Sequence, residues 1–595
     1  MVSKQKLELT WIGKDQRPKL EPRVLLEDPT RSFHASKRVT TEDVFDNRLI
    51  FGDNLLALKA LEQEFTGRVK CAYIDPPFNT KQAFEHYDDG VEHSIWLSLM
   101  RDRLDIIWRL LAPDGSLFVH IDDNELGYLI VVLDEIFGRS NRVGVVTFKQ
   151  SSVSGPKATN PGLVTTNNYV LYYAKDKARW SPGKVFVPTE RDDRYNKYID
   201  NPEAPYDRWK LIGVRDAFLA STGLKDWKDV KQRLLDKTEQ HLTRFVLENA
   251  DRVVRTARVA PTDVNEDARQ ALMKSIDDPS RVYRSQREQK DDYYFLGGEQ
   301  LIFYRAKART IDGVVQTAAP LSNLWDDLLS NNLHKEGGVA FPNGKKPEAL
   351  IKRCIELATV PGDLVLDSFA GSGTTGAVAH KMRRRWIMVE LGAHCESHIL
   401  PRLRSVIDGT DESGITKGVN WRGGGGFRYY RLAPSLLQQD RFGQWVINKG
   451  YNPEMLAAAV AKLEGFTFAP SADVYWQHGH STESDFIYVT TQTLSAEQLQ
   501  ALSDDVGPKR TLLVCCGAFR LSADAIAGRF RNLTVKKIPK MVLQKCEWNH
   551  DDYSLNVANL PMSAPQARKV ASPKPPQAGL FDTAEPASAD EGGKA

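Results

Sequence analysis

A short apolar run, Lys70-Cys71-Ala72-Tyr73-Ile74, ends abruptly in Asp75-Pro76-Pro77-Phe78, and it constrains this chain more than any other stretch. The run reads as a buried strand. Ligands of open α/β sheets sit in the crevice beyond the carboxyl ends of the strands, so an acid placed there points into that crevice. Two consecutive prolines fix two φ angles and remove two donors, which leaves a stiff turn whose carbonyls are free to accept. Asp75 and the Pro76 carbonyl then form a rigid acceptor pair, with Phe78 as a flat apolar wall. Such a site suits a planar group that bears an NH2. The same four residues also make an ordinary exposed turn, so a second anchor is needed.

The surroundings supply it. From Arg48 the pattern runs strand (Leu49-Ile50-Phe51), turn (Gly52-Asp53-Asn54) and helix (Leu55 to Glu64), and then reaches the strand before Asp75. A helix from His93 to Leu111, stopped by Pro113-Asp114-Gly115, leads to a buried strand at Leu117–Ile121. After a further strand at Tyr169–Tyr173 the alternation stops, and it resumes at Pro347 with a helix from Glu348 to Ala358. Leu364-Val365-Leu366 then runs into Asp367-Ser368-Phe369-Ala370-Gly371-Ser372-Gly373-Thr374-Thr375, a helix to Met382, and a strand at Trp386–Val389 that ends in Glu390. Alternation of this kind predicts a doubly wound parallel sheet. A glycine-rich turn between strand and helix lets the backbone approach a ligand closely, and an acid at the end of the next strand is placed to grip a ribose hydroxyl.

Composition removes several function classes. Lys and Arg number 80 against 77 Asp and Glu, a formal charge of +3, so any surface that attracts nucleic acid must be local. No apolar run is long enough to span a bilayer, and the N-terminus lacks the apolar core of a signal peptide, which points to the cytoplasm. Six cysteines without a Cys-x-x-Cys pair argue for reduced thiols and against structural zinc. His394-Cys395 with His398 is the one ligand-like cluster, and without an evident fourth ligand it reads as packing; no metal is expected.

The domain reading is an N-terminal arm (1–45), one half of an α/β domain (46–175), an insertion (176–335), the second half (336–432), a smaller α/β C-terminal domain (433–560) and a disordered tail (561–595). The insertion is rich in basic and aromatic residues, among them Trp180, Arg194, Tyr195, Trp209 and Trp227, and a helix is expected from Val230 to Arg255. Cations that hold phosphates and rings that stack on bases fit a nucleic-acid surface, although interspersed acids also fit a solvated helix face. In the C-terminal domain Ser495-x-x-Gln498 has capping-box spacing, and Thr511–Cys516 reads as a strand.

With these residues in view, the chain resembles the β-group of amino-methylating DNA methyltransferases, and more closely the modification subunits of type III restriction systems. Their catalytic Asp-Pro-Pro-aromatic motif corresponds to Asp75, Pro76, Pro77 and Phe78, and their S-adenosylmethionine motif to Phe369, Ala370, Gly371, Ser372 and Gly373. The order is that of the β-group: catalytic half, target-recognition insertion, cofactor half. The resemblance implies a Rossmann-like methyltransferase domain in which Asp367 and Thr374 flank the cofactor turn, Glu390 holds the ribose, Asp53 lies near the adenine, and Lys346-Pro347 begins the helix beside the methionine end. Phenylalanine at 78, where tyrosine is commoner in the family, keeps the ring face and loses only a hydroxyl.

The implied reaction is methylation of adenine N6 in a base flipped out of double-stranded DNA, because an amine inside the duplex cannot reach the methyl donor. Asp at position 75 favours adenine, whereas family members acting on cytosine N4 usually carry Ser there; cytosine N4 is the runner-up. A catalytically silent recognition subunit is the reading from another class, and it would be expected to lose Asp75 or the glycines. The sequence has no Gly-x4-Gly-Lys-Ser/Thr loop, so cleavage would need a separate helicase-nuclease restriction subunit. The type III resemblance also implies a homodimer. Gln577-Ala578-Gly579-Leu580-Phe581 resembles peptides that bind bacterial sliding clamps.

Overall fold

The computed structural model describes residues 8–553 apart from 79–88, 152, 154–161, 289, 329–332, 342–343 and 539. The strands of its largest sheet are, in chain order, β1 (Leu25–Glu27), β2 (Phe33–His34), β3 (Asn47–Phe51), β4 (Val69–Ile74), β5 (Leu111–Ile121), β6 (Arg142–Lys149), β7 (Asn167–Ala174), β8 (Leu324–Trp325), β9 (Leu364–Asp367), β10 (Arg385–Glu390) and β11 (Gly426–Leu432). In space they follow the order β1, β11, β3, β10, β9, β4, β5, β7, β6, β8, and β2 also pairs with β11. Neighbours from β11 to β5 are parallel, whereas β7 runs antiparallel to both β5 and β6.

The central strands are apolar almost throughout because helices cover both of their faces. On one face α1 (Asn54–Phe65), α2 (Asp89–Leu110) and α3 (Leu126–Leu133) bury Leu58, Met100 and Leu129 against Ala72, Ile74 and Leu366. On the other, α4 (Glu348–Ala358), α5 (Thr374–Lys381) and α6 (Leu400–Ile407) bury Ile351, Val378 and Leu403 against Cys71, Tyr73 and Val365. The period of two in β4 thus sends alternate residues into two separate cores.

The strand order reverses at one place. β4 continues through α2 to β5 on one side, β9 continues through α5 to β10 on the other, and β4 and β9 are neighbours, with Cys71 opposite Val365 and Ala72 opposite Leu366. A crevice therefore opens where Asp75 and the glycine-rich turn emerge.

Two local expectations change. The helix before β5 ends at Leu110, and Pro113-Asp114-Gly115 lies inside β5, where the pairing jumps from Val69–Leu111 to Cys71–Ser116. A Cβ on Gly115 would lie 2.8 Å from the Val69 carbonyl, so glycine is required in this bulge. The helix expected from Val230 to Arg255 is broken into Trp227–Leu234 and Thr238–Glu248, and Val253–Arg258 is a strand. Leu235, at φ 49°, kinks the chain, and the strand opened by the β-branched Val253-Val254 pairs through Val254–Arg258 with Glu299–Phe303 in a six-stranded sheet of the insertion.

The first 45 residues supply β1 and β2 to the main sheet. Their charges are largely consumed internally: Glu21, buried, pairs with Arg23 at 2.7 Å and accepts from Leu436 N and Ser435 Oγ, both at 2.8 Å. The C-terminal region carries a five-stranded sheet that includes Asp485–Val489 and Thr511–Cys516, and Ser495 and Gln498 form a capping box on the helix Ala496–Val506. No helix among the described residues is long and apolar enough to cross a membrane. Gln577–Phe581 lies outside the described residues.

Candidate active site

β4 delivers Asp75 to the crevice, and the turn after it is held from behind: Trp96 Nε1 donates to the Pro77 carbonyl at 2.9 Å. Asp75 Oδ2 pairs with Lys346 Nζ at 2.5 Å, while its Oδ1 is buried and has no hydrogen-bond partner among the described residues. Burial pushes the Asp75 carboxyl above the usual aspartate range, and the Lys346 ammonium pulls it back. Phe78 stacks on His120, with centroids 5.9 Å apart and planes 17° apart. His120 is fully buried and meets Tyr73 OH at 3.3 Å through Nδ1 and Asn168 Nδ2 at 3.1 Å through Nε2. Burial, aided by the nearby Lys346 charge, holds the imidazole well below its ordinary value, so the ring is neutral.

β9 delivers the glycine-rich turn. Asp367 braces it from inside: Oδ1 accepts from Phe369 N at 2.9 Å and Oδ2 from Thr375 Oγ1 at 2.5 Å. Gly371 and Gly373 adopt φ of 53° and 76°, and a Cβ on Gly373 would lie 2.9 Å from Ile399. Glu390, at the end of β10, ties two loops together by accepting from Gly371 N at 2.7 Å and Gly392 N at 2.8 Å. His394 Nε2 stands 3.0 Å from the same carboxylate, which raises the His394 imidazole above its ordinary value. Behind the turn, Arg402 donates to Thr374 Oγ1 at 2.8 Å and to Glu348 at 2.9 Å, and Glu348 pairs with Lys381, which pairs with Asp411, each at 2.7 Å. All four charged groups of this brace are buried. Breaking one pair would strand an uncompensated charge.

The two deliveries meet in one crevice of about 340 Å³. Asp75, Pro76, Pro77, Phe78, Lys346, Asp367, Phe369, Ala370, Gly371, Ser372, Thr374 and Glu390 line it, as do Tyr73, Phe341, Gly344, Ile351 and Thr375, which the sequence reading did not single out. Gly373 stands just outside as the residue before α5. Asp53, expected beside an adenine, does not line the crevice: its Oδ1 caps α1 by accepting from Leu56 N at 3.0 Å, its Oδ2 accepts from Tyr553 N at 3.0 Å, and Arg103 lies 3.5 Å away. An acid that begins a helix is drawn to the free N–H groups of the first turn, and one oxygen of Asp53 is engaged there. Phe341 carries no local signal, whereas His120, a lone imidazole inside an apolar strand, is a visible anomaly.

Among the described residues the crevice gathers three acidic groups, Asp75, Asp367 and Glu390, against one lining cation, Lys346. Burial, with repulsion from Asp75 and Glu390, raises the Asp367 carboxyl to about 7. Such a site favours a ligand that brings positive charge. His394, Cys395 and His398 do not converge: His394 turns to Glu390, His398 to the Ala340 carbonyl at 3.1 Å, and Cys395 is buried. Among the described residues no group of His, Cys, Asp and Glu is arranged to hold a metal ion.

A family model described as DNA methylase matches residues 69–399, more than half of the chain and the span that builds this crevice. The chain belongs to the DNA methylase family. This family member is 35% identical over 415 residues to a protein of Haemophilus influenzae described as the probable type III restriction-modification enzyme HindVI Mod subunit, a match covering 65% of this chain and 54% of that one. The chain thus spans about half the length of that relative. It is 25% identical to the type III restriction-modification enzyme EcoP15I Mod subunit of Escherichia coli, covering 74% of this chain and 73% of that one. Among solved structures, the cytosine-N4-specific PvuII DNA methyltransferase is 15% identical and covers 65% of this chain and 95% of that one, with a TM-score of 0.30.

Proposed function

We propose that this DNA methylase transfers a methyl group from S-adenosylmethionine to N6 of an adenine turned out of duplex DNA, as the modification subunit of a type III restriction system. One observation carries the reading: Asp75, whose buried Oδ1 has no hydrogen-bond partner among the described residues, lines the same crevice as the Pro76 turn, the Phe78 ring and the glycine-rich loop. An orphaned buried acceptor costs free energy unless a donor arrives, and an exocyclic NH2 is such a donor.

The residues fit the methyl donor. Gly371 and Ser372 provide a close backbone approach, Glu390 keeps acceptor capacity for a ribose beside its contacts to Gly371, Gly392 and His394, and the acid-rich lining suits a ligand carrying sulfonium and ammonium charges. When bound, S-adenosylmethionine supplies a methyl group already activated for transfer to a nitrogen lone pair. The chain then has to position the acceptor. The N6 lone pair of adenine is delocalised into the ring; hydrogen bonds from the NH2 to Asp75 Oδ1 and the Pro76 carbonyl favour a more tetrahedral nitrogen with its lone pair aimed outward. The Pro-Pro turn, pinned by Trp96, keeps those acceptors from moving with the base. Phe78, backed by His120, offers the extruded base a stacking surface that offsets part of the unstacking cost.

Residues 176–335 are proposed as the target-recognition insertion and 433–560 as the partner-contacting domain. A helicase-nuclease restriction subunit, a second copy of this chain and, through Gln577–Phe581, a sliding clamp are the proposed partners. The Mod-subunit names of the relatives and the absence of a phosphate-binding Lys loop in this sequence support the first of these. Co-expression with a candidate restriction subunit that yields only this chain on purification would remove it.

The test of the activity is transfer of labelled methyl from S-adenosylmethionine to unmethylated genomic DNA, wild type against Asp75→Ala, with digestion to nucleosides. N6-methyladenine that disappears in the variant is expected. N4-methylcytosine would retain the mechanism and change the base, and absence of label despite DNA binding would indicate a silent recognition subunit.

A further inference from the structure

Lys346 is 7% exposed, and its contacts place it with the acceptor half of the crevice. Its Nζ pairs with Asp75 Oδ2 at 2.5 Å, stands 5.3 Å from the centre of the Phe78 ring and reaches the Gly344 carbonyl at 3.5 Å. The two carboxylates of the glycine-rich side, Asp367 and Glu390, are engaged by donors of their own loops. Its neighbour Lys345 diverges and caps the Val339 carbonyl at 2.8 Å. The backbone that presents Lys346 is fixed: Pro347 precedes α4, Glu348 N donates to Glu336 at 2.7 Å, and the Glu348 side chain belongs to the buried brace behind the turn.

From this geometry we infer that Lys346 is the positioning residue of Asp75: it occupies Oδ2, reserves Oδ1 for the incoming amine, and keeps the carboxylate in its charged, accepting form. The inference rests on the methyl-transfer reading and reassigns Lys346 from the methionine end of the donor to the acid. Its chemical reason is direction. A protonated Asp75 would offer an O–H to the amine and engage the lone pair that the reaction needs, whereas a carboxylate can only accept. Among the described residues, the ionisable groups that share the crevice or its wall with Asp75 are Tyr73 from its own strand, neutral His120 from β5, Asp367 from β9, Glu390 from β10 and Lys346. Burial disfavours the charged form, and Asp75 and Asp367 repel each other. Lys346 is the one group among them that opposes this.

The experiment uses the full-length chain with Lys346→Met, which removes charge and donor, and Lys346→Gln, which keeps a donor. Three readouts are taken: calorimetric affinity for S-adenosylmethionine, the pH profile of kcat/KM for methyl transfer to duplex DNA, and carboxyl titration by 13C NMR of Asp-labelled protein, with Asp75 assigned by its absence in Asp75→Asn. Both variants are expected to bind the donor with affinity close to wild type, and the acid limb of their profiles to move upward by about 1–3 pH units. An unmoved acid limb together with weakened donor binding would return Lys346 to the methionine end and overturn the inference. Should Lys346→Met fail to fold, Lys346→Gln carries the same test. Should the wild type transfer no methyl, the functional reading fails by itself, and the NMR titration still decides: an Asp75 that titrates alike in wild type and variants refutes the role of Lys346.

Discussion

Phe78 lies nearly parallel to His120, 17° from coplanar at a centroid distance of 5.9 Å, and His120 is in turn held by Tyr73 and Asn168. The stacking wall is therefore a backed surface, not a lone side chain. Phe78→Ala is expected to lower kcat/KM on duplex DNA by about 5–150-fold, the equivalent of about 1–3 kcal/mol of lost base stacking. Phe78→Tyr, which keeps the ring, should stay near wild type. The deficit of Phe78→Ala should shrink on a duplex with a mismatch at the target base, because that base is already partly unstacked. An equal deficit on both substrates would show that the ring serves something other than base extrusion.

Glu390 accepts from Gly371 and Gly392 on different oxygens, so it shapes the glycine-rich loop before any ligand arrives. Glu390→Gln retains one carbonyl acceptor and loses the charge; Glu390→Ala loses both. Affinity for S-adenosylmethionine is expected to fall about tenfold in the first and further in the second, on a cost of about 1.5–3 kcal/mol for hydrogen bonds to a charged group. DNA affinity measured without the donor should be unchanged. Calorimetry with intact donor binding in Glu390→Ala would remove Glu390 from the site.

The halves of this crevice differ in how openly the sequence announces them. The runs Cys71–Ile74 and Leu364–Leu366 are apolar on both faces and end in acids, prolines and glycines, so strand, turn and exit direction are all written locally. The brace of Glu348, Lys381, Arg402 and Asp411 is not, because its members come from four separate stretches and each alone looks like an exposed charge. The same holds for Glu21 and Arg23: mutual pairing and bonds to Ser435 and Leu436 let a polar segment become structural. Asp53 is the opposite case. It sits at a strand end as Asp75 does, yet the helix that starts one residue later claims its carboxylate.

Asp367 predicts a pH dependence of stability. An ordinary aspartate titrates near about 4, and Asp367 is raised to about 7 in the folded chain by burial and then by its acidic neighbours. Between those values the native state holds a proton that the unfolded state has released. Its contribution is therefore fully present below about pH 4, declines as pH rises, and is gone above about pH 7, with a slope of at most about 1.4 kcal/mol per unit. Asp367→Asn removes this titration. Urea midpoints of the two proteins should converge in the variant's favour as pH rises from 4 to 7, and a difference independent of pH would mean that Asp367 titrates normally.

The segment around Tyr553 is tied to the glycine-rich turn through buried groups. Arg103, fully enclosed, donates to the Tyr553 carbonyl at 3.0 Å and to Asn54 Oδ1 at 2.5 Å, and Asn54 Nδ2 donates to the Ser368 carbonyl at 2.8 Å, directly before Phe369. Tyr553 N closes the loop on Asp53 Oδ2 at 3.0 Å. Removing Tyr553 would leave a buried guanidinium and a buried carboxylate each short of a partner, at about 1–3 kcal/mol per group. Truncation after residue 547 is therefore expected to lower both the melting temperature and the affinity for S-adenosylmethionine, by roughly tenfold for the latter. Arg103→Met should do the same. Because both changes cut one path, the double variant should bind the donor no more weakly than the worse single one. Additive losses would mean that the two residues act separately, and donor binding undiminished by the truncation would confine this segment to a purely structural role.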